Sequence, residues 1–269
     1  MTSEKPGALR GMLPKLLLKV VLRHLDNERR TIPPGEWVLE TLPELTRTRS
    51  IDGSHHMIAY SKLPASNADA VIAAQAKYYR SLGVDAEWKA YAHDGPPDLL
   101  ERLTRYGFEP GEREAVLILG LDAPPAWLAD MTYNVERVET PRQVEAFRVA
   151  AEEIFGKEYE FTAEELRAGI VAGSLRQIGF LATEESRAVS IGRLYTHPDS
   201  VFGGLFGGGT LPEYRSRGYY RAVVAARARC ARELGARYLI VDARETSRPI
   251  LERLGFIHLT DTWACRLRR

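Results

Sequence analysis

The most informative segment of this 269-residue chain reads Leu211-Pro212-Glu213-Tyr214-Arg215-Ser216-Arg217-Gly218-Tyr219-Tyr220-Arg221. It follows an apolar, glycine-rich segment, residues 202–210, and precedes a long helical pattern that begins at Tyr219. The first turn of a helix leaves backbone N–H groups unpaired, and the helix dipole adds partial positive charge there. Because Gly218 has no Cβ, its backbone can approach a bound anion closely. The segment therefore predicts a phosphate-binding loop between a strand and a helix.

The arginines around this loop give it a local positive charge. Between residues 213 and 237 there are seven Arg and two Glu, a local excess of +5. The whole chain has 37 Lys and Arg against 36 Asp and Glu, so its net charge does not attract nucleic acid or an anionic membrane. The local cluster favours a polyphosphate ligand instead. For Arg229 and Arg232, which helical periodicity places opposite Val223, a solvated helix surface is the simpler interpretation.

Two halves of the chain share one succession of predicted elements. Each has a long helix ending in Leu-Gly, an alternating strand, a shorter helix, and a Gly-Phe pair before another strand. These helices and strands are predicted at 68–82, 87–91 and 97–106 in the first half, and at 219–234, 238–242 and 248–254 in the second. The succession predicts an α/β fold with helices on a mixed sheet. Two common helix-strand units can also resemble each other by chance.

Residues 122–134 separate the two halves. The segment has no periodicity, and Pro124-Pro125 disfavours helix while removing two backbone donors from any sheet. We therefore expect a first lobe at 1–121, a linker at 122–134 and a second lobe at 135–269. Four glycines at positive φ are predicted to end helices, namely Gly83, Gly107, Gly235 and Gly255.

The segment from Pro212 to Ala222, together with residues 251–256 (Leu-Glu-Arg-Leu-Gly-Phe), resembles the acyl-CoA-binding core of the GNAT acetyltransferases. The loop of that family reads Gln/Arg-x-x-Gly-x-Gly/Ala; Arg215 and Gly218 match it, and Tyr220 replaces the last small residue. The resemblance covers residues 135–267. It implies two GNAT-like lobes, each a mixed, mostly antiparallel sheet flanked by helices. It also implies an N-acetyltransferase that moves an acetyl group from acetyl-CoA to an amine.

The resemblance assigns residues to the acetyl-CoA site as well. The backbone at the end of the glycine-rich strand would hydrogen-bond the pantetheine arm, although a glycine run can equally mark a bulge. Ser247 is the only small hydroxyl near Arg244, where the family often has Asn. The expected acetyl-CoA-binding residues are Gly208, Gly209, Thr210, Arg215, Ser216, Arg217, Gly218, Tyr219, Tyr220, Arg221 and Ser247.

The catalytic group is less well defined, because the Tyr that often protonates the thiolate in this family falls at Leu251. Acetyl transfer needs a neutral amine, a donor to the oxyanion and a proton for the thiolate. Tyr195, His197 and Glu245 are the candidate acids or bases, in that order. Tyr195 and His197 also fit a strand-end aromatic and a turn residue before Pro198. A non-catalytic acyl-CoA sensor is the alternative function that Leu251 leaves open.

The first lobe lacks the phosphate-binding residues. When Leu82-Gly83 is placed on Leu234-Gly235, residues 63–66 (Leu-Pro-Ala-Ser) take the positions of Arg215 to Gly218. We expect this degenerate lobe to bind no second acetyl-CoA. It would either shape the acceptor cleft or pair with the other GNAT-like lobe, and a homodimer is one assembly that this allows. No metal site is predicted, because His55 and His56 would point to opposite faces of a strand.

The cysteines and the N-terminal segment bear on location. Cys230 and Cys265 have no metal-ligand spacing, and we expect them to be reduced thiols of a cytoplasmic protein. The most apolar N-terminal stretch, Leu13 to Leu25, is too short and too charged to span a membrane. We expect it to form a helix that packs on its own domain. The acceptor, a small molecule or a peptide amine, is not indicated by the sequence.

Overall fold

The computed structural model describes residues 6–32, 37–129 and 132–269, and of residues 6–16 it describes the backbone alone. The chain forms two compact units. The first consists of Met1–Val116 and Leu259–Arg269, and the second of Leu117–His258. Among the described helices, none combines the length and the apolar composition that crossing a membrane requires.

The described part of the chain contains both α-helices and β-strands. The helices are α1 (Pro6–Thr31), α2 (Ala68–Leu82), α3 (Leu99–Arg105), α4 (Pro141–Phe155), α5 (Glu160–Ala172), α6 (Tyr219–Glu233) and α7 (Arg248–Arg253). The strands are β1 (Trp37–Thr41), β2 (Leu45–Ser50), β3 (His56–Ser61), β4 (Ala86–Tyr91), β5 (Glu109–Pro110), β6 (Glu114–Gly120), β7 (Val135–Arg137), β8 (Gln177–Glu184), β9 (Arg187–Tyr195), β10 (Phe202–Thr210), β11 (Tyr238–Ala243) and β12 (Ile257–Leu267).

The sheet of the first unit has the strand order β1-β2-β3-β4-β12, and β5 also pairs with β12. Its pairs are antiparallel except β3 and β4, which run parallel over Met57↔Glu87 and Ile58↔Trp88. Parallel neighbours need a crossover connection, which α2 supplies. Trp88 is fully buried against Phe108, with ring centroids 5.5 Å apart, and lies at the centre of this unit's core.

The sheet of the second unit has the order β11-β10-β9-β8-β7, in which β10 and β11 are parallel and the other pairs antiparallel. The crossover between β10 and β11 is α6. On one face, Ile191 of β9 packs in a cluster with Phe147 of α4 and Leu166 of α5. Its neighbour Gly192 points to the opposite face, where it meets α6. Helices therefore cover both faces of the sheet.

The predicted α/β fold, with helices on a mixed and mostly antiparallel sheet in each half, is confirmed. Helix α2 has the predicted bounds, and α3, α6 and α7 differ from prediction by one or two residues at an end. The four glycines predicted at positive φ all have it, with values of 67°, 94°, 90° and 92° at Gly83, Gly107, Gly235 and Gly255.

The division of the chain differs from the predicted lobes 1–121 and 135–269. Strand β12 ends the second half in sequence, yet residues 259–269 belong to the first unit, where β12 pairs with β4 from Thr262↔Tyr91 to Leu267↔Ala86. Residues 117–121 and the described part of the predicted linker 122–134 belong to the second unit. There, Ala126–Ala129 form a 3₁₀ helix with a buried Leu128. Residues 130 and 131 of that linker lie outside the described residues.

Candidate functional site

The predicted phosphate loop lies between the end of β10 and the start of α6. A 3₁₀ turn at Pro212–Tyr214 follows β10, and α6 begins at Tyr219. Ser216 and Gly218 have φ values of 63° and 97°. Gly218 is the residue before the helix, and a residue with a Cβ rarely adopts its φ. The first-turn N–H groups of α6 therefore follow directly on a glycine, as an anion site requires.

Glu184, the last residue of β8, anchors this loop. Tyr219 Oη donates a hydrogen bond to Glu184 Oε2 at 2.6 Å, and Arg217 Nη1 lies 3.3 Å from the same oxygen. The hydrogen bond to Glu184 raises the pKa of Tyr219 to about 12. A phosphate at Arg217 would therefore compete with a carboxylate. Arg215 is exposed and donates from Nε to the carbonyl oxygen of Thr210 at 3.3 Å.

An aromatic residue that sequence reasoning assigned to the linker packs on the loop. The Tyr133 hydroxyl donates to the carbonyl oxygen of Arg217, and its ring centroid lies 4.5 Å from that of Tyr219. A Cβ placed on Gly218 would lie 3.1 Å from Tyr133 Cε2. A shallow surface crevice is lined here by Trp127, Thr132, Tyr133, Gly218, Arg221, Ala222 and Ala225. The sequence signal that could have indicated this contact is the presence of aromatic residues in the Pro-rich linker.

Strand β10 separates from β11 before it reaches the loop. The parallel pairing covers Phe202↔Tyr238 to Gly204↔Ile240 and ends there, although β10 continues to Thr210. On its other side, β10 has a register shift against β9 between Phe206 and Gly209, and Gly207 has a φ of 53°. A bulge therefore lies where β10 is no longer paired with β11.

The glycines of this bulge make room for protein side chains from both faces. A Cβ on Gly207 would lie 3.2 Å from Arg193 Nε, and one on Gly208 would lie 3.1 Å from Arg227 Nη2. A Cβ on Gly209 would lie 2.5 Å from Ile154 Cγ2 of α4. The glycine run is thus required by close packing, and two guanidinium groups approach it.

Arg227 is buried between α6 and the sheet, with 1% of its surface exposed. Its Nε donates to the carbonyl oxygen of Val223 at 3.3 Å, and its Nη1 to that of Arg193 at 3.2 Å. Its Nη2 has no hydrogen-bond partner. Burial lowers the pKa of Arg227 to about 10, against a smaller opposing effect of Tyr220. The sequence alone does not single out Arg227, because helical periodicity does not reveal which neighbouring strand carries glycines.

Tyr195 and Arg193 lie together on the face covered by α4 and α5. Arg193 Nη1 donates to Tyr195 Oη at 3.3 Å and lies 3.8 Å from Glu165 Oε2. The Tyr195 ring meets that of Phe206 edge-on, with centroids 4.7 Å apart. Burial raises the pKa of Tyr195 to about 12. Of the candidate catalytic residues, Tyr195 therefore lies nearest the bulge, connected to Gly207 through Arg193.

Several solved structures with the same architecture are of GNAT proteins. A GCN5-related N-acetyltransferase from Kribbella flavida is 14% identical, covers 92% of this chain and 93% of its own, and has a TM-score of 0.64. A tandem GNAT protein from the clavulanic acid biosynthesis pathway is 12% identical, covers 93% of both chains, and has a TM-score of 0.57. The chain has the tandem GNAT fold.

A further structure of this fold is a GCN5-related N-acetyltransferase from Sphaerobacter thermophilus, 13% identical over 85% of this chain and 81% of its own, with a TM-score of 0.56. No model of a protein family matches the chain, and no curated protein matches it in sequence. The GNAT fold is thus shown by tertiary structure and not by sequence similarity.

Within this GNAT fold, the other candidate acids and bases lie in turns. His197 Nδ1 accepts a hydrogen bond from the backbone N–H of Asp199 at 3.1 Å, which stabilises the turn after β9. Glu245 is exposed in the turn between β11 and α7. The Ser247 hydroxyl donates to the carbonyl oxygen of Arg244 at 3.2 Å. His197, Glu245 and the predicted acetyl-CoA-binding residue Ser247 are therefore parts of turns.

Thr210 marks the strand end nearest the loop. Its hydroxyl lies 2.8 Å from the hydroxyl of Ser190, which also donates to the carbonyl oxygen of Gly209 at 3.0 Å. These two hydroxyls tie β10 to β9 beyond the bulge, so β10 keeps its direction although it has left β11. The resulting gap is held open by hydrogen bonds.

The first unit repeats the GNAT plan, and its loop before α2 differs from the loop before α6. Its parallel strands β3 and β4 pair over two residues, and the loop before α2 has Leu63 buried in the core. Asp26, His93 and Asp94 present ligand atoms within 4.8 Å of one another. Arg29 already pairs with Asp26 at 2.9 Å and with Asp94 at 2.8 Å, so a guanidinium supplies positive charge between the two carboxylates. This cluster therefore gives no reason to expect a cation.

Proposed function

We propose that the protein is an N-acetyltransferase whose second unit binds acetyl-CoA and transfers the acetyl group to an amine. One observation carries the proposal. A strand that leaves its parallel neighbour at Gly204 leads directly to the positive-φ Gly218 at the start of α6. This combination offers a gap for an extended arm and, at the end of that gap, backbone N–H groups for a phosphate.

The dimensions of the gap support this placement. From Gly204 to Thr210, β10 advances six residues, or about 20 Å at roughly 3.3 Å per residue. We place the pyrophosphate at the N–H groups that follow Gly218, with Arg215 and Arg221 beside it. The pantetheine arm then lies along residues 208–210, and the thioester lies at the bulge.

The reaction needs few groups from the protein. The amine nitrogen forms a bond to the thioester carbon, the carbon–sulfur bond breaks, and the thiolate takes a proton. A bulge leaves backbone N–H groups outside the regular ladder, and such groups stabilise a developing oxyanion. Since Gly207 and Gly208 form the bulge, their N–H groups are our candidate oxyanion donors.

Tyr195 fits a hydrogen-bonding role better than a complete proton transfer. Its pKa is about 12, whereas a thiol such as that of CoA has a pKa of about 8.5. Each unit of that difference costs about 1.4 kcal/mol, so transfer from Tyr195 to the thiolate would be uphill. Tyr195 stays protonated near neutral pH and can donate a hydrogen bond, while solvent supplies the proton.

A second candidate function is a non-catalytic acyl-CoA sensor. Leu251, where the resemblance leads one to expect the acid Tyr, is fully buried in α7 and offers no proton. A sensor and an enzyme would both bind acetyl-CoA, and only an enzyme would release CoA thiol in the presence of an amine.

Calorimetry and a thiol-release assay together test the proposal. We expect acetyl-CoA and CoA to bind the full chain with one site per chain, because residues 63–66 of the first unit provide neither the arginine nor the glycine. A panel of small amines and peptides should then contain at least one acceptor that accelerates thiol release. Absence of any CoA binding would contradict both candidate functions, and binding without release would favour the sensor.

We also propose a cytoplasmic location. Both cysteines are free, and burial raises the pKa of the Cys265 thiol to about 12, which makes it unreactive. Free thiols of this kind are typical of a reducing compartment. Cell fractionation tests the location directly.

A further inference from the structure

Arg227 carries a buried charge that the second unit does not neutralise. Among the residues that the structure describes, no Asp or Glu forms an ion pair with it; hydrogen bonds go to the backbone carbonyls of Val223 and Arg193, and the Tyr220 hydroxyl, which is uncharged when protonated, also interacts with it. Its Nη2 has no partner. Burial of a charge is costly unless the charge is paired and fully hydrogen-bonded. An apolar side chain of similar size would fill this space without the cost of burying a charge. We therefore expect the guanidinium to bind a ligand.

The unpartnered Nη2 points to the bulge of β10. It lies 3.1 Å from the position that a Cβ on Gly208 would take, and Tyr220 Cε2 lies 3.2 Å from that position. A Cβ on Gly192 of the neighbouring strand would lie 2.6 Å from Arg227 Cζ. Two glycines in adjacent strands thus admit the guanidinium. Gly208 belongs to the part of β10 that has separated from β11.

The phosphates of CoA do not account for Arg227. We place them at Gly218, and Arg227 follows nine residues later on α6. At about 1.5 Å per residue this is about 13 Å along the helix axis. The part of the donor that reaches the bulge is the acyl group and its thioester. The anion that Arg227 is suited to bind must therefore be carried by the acyl chain.

We propose that Arg227 binds a carboxylate at the end of the donor's acyl chain. The preferred donor is then a CoA monothioester of a short dicarboxylic acid, which binds more tightly than acetyl-CoA. A guanidinium edge offers two N–H groups to a carboxylate, and such charge-assisted pairs are the strong hydrogen bonds of proteins. This inference rests on the proposed function and narrows its donor.

The chemistry of transfer is unchanged by the additional carboxylate. The acceptor nitrogen bonds to the thioester carbon, the carbon–sulfur bond breaks, and the proton that the amine loses is matched by the one that the thiolate takes. The distal carboxylate stays ionised against Arg227 throughout. No oxidant, reductant or further reactant is needed.

Two stable thioethers of equal chain length test the inference. S-(3-carboxypropyl)-CoA and S-butyl-CoA differ in the carboxylate alone, and neither can be hydrolysed as a thioester. We expect calorimetry on the full chain to show the carboxylate compound binding about 10- to 100-fold more tightly, as expected for one charged hydrogen-bonded pair. Malonyl-CoA and succinyl-CoA, compared with acetyl-CoA in the thiol-release assay, extend the comparison to reactive donors.

Arg227→Met identifies the group responsible. Replacement of a buried charge by an apolar side chain of similar size is often tolerated, and thermal unfolding checks that this variant folds. We expect it to bind the two thioethers equally while its affinity for CoA stays unchanged. Arg232→Met, on an exposed position of the same helix, removes one positive charge and should keep the preference.

The possible outcomes distinguish the carboxylate site from the proposed function on which it rests. Equal affinities in the unchanged protein would overturn the carboxylate site and leave the proposed function intact. A preference that persists in Arg227→Met would also overturn the assignment to Arg227. Failure of every CoA compound to bind would overturn the proposed function itself, and the inference with it.

Discussion

Tyr219, the first residue of α6, donates a hydrogen bond of 2.6 Å to Glu184 at the end of β8. The bond fixes the start of the helix relative to a strand that lies two positions away from β10 in the sheet. Because the same carboxylate also pairs with Arg217, the loop is positioned before any ligand arrives. Preorganisation of this kind lowers the cost of ordering a binding loop.

The Tyr219–Glu184 bond predicts a pH dependence of stability. The pKa of Tyr219 is about 12 in the folded protein and about 10 in an unfolded chain. Because the pKa is higher in the folded protein, the contribution of this hydrogen bond to the free energy of unfolding is complete below about pH 10 and is lost as the pH rises toward 12. We expect urea unfolding to show a steeper loss of stability over that window in the unchanged protein than in Tyr219→Phe. Glu184→Gln should remove the same difference; independent effects of the two variants would refute the coupling.

Gly218→Val should eliminate CoA binding while the fold persists. A β-branched residue at a φ of 97° is strained by roughly 1–2 kcal/mol, and its Cβ would lie 3.1 Å from Tyr133 Cε2. Gly235→Val is the matched control, since Gly235 has a φ of 90° with no atom within 4 Å of a Cβ. Calorimetry with CoA checks the difference. Undiminished affinity in Gly218→Val would show that the loop is not the phosphate site.

Tyr195→Phe should lower the turnover number by less than about tenfold and leave acetyl-CoA affinity nearly unchanged. Its hydroxyl acts as a hydrogen-bond donor whose pKa is too high for efficient proton transfer, so general-acid catalysis, worth roughly 10²-fold or more, is not expected from it. Steady-state kinetics over a range of pH, once an acceptor is known, measure the effect. A loss of about 10²-fold or more would make Tyr195 the acid after all.

Leu267→Ala should destabilise the first unit, although Leu267 ends the second half of the sequence. The side chain is 2% exposed in the first unit's core, where removal of a buried Leu side chain costs about 2–5 kcal/mol. Hydrogen exchange should rise in β4 and α2. Arg266→Ala, whose side chain is 67% exposed, is the control. A rise confined to β10 and α6 would instead place β12 in the second unit.

Much of the fold could be predicted because its signals are local. Helix α2 is specified by apolar residues at a 3.6-residue period and by Gly83, whose φ of 67° ends it. The same reasoning located Gly218 before α6, since a strand, a proline, a basic turn and a helix start follow one another within the chain. Such features depend on residues a few positions apart, which a single sequence displays directly.

Helix α6 shows where periodicity reaches its limit. Helical periodicity places Leu234 on the same face as Val223, and Ala225 on the opposite face with Arg229, but Leu234 is 39% exposed and Ala225 is buried. The helix is covered on more than one side, because the 3₁₀ segment Ala126–Ala129 packs on it within the second unit. A period identifies one apolar face, and it does not identify a second neighbour.

The sequence by itself determined the repeated succession of helices and strands, the positive-φ glycines and the basic loop, because each follows from backbone preferences within a few residues. Tertiary structure alone decided that β12 completes the sheet of the first unit and that Gly192 and Gly208 admit Arg227. Both depend on which strands become neighbours across long separations in sequence. The pairing of strands depends on the burial of side chains from distant segments. The free energy of that burial cannot be read from a local sequence pattern.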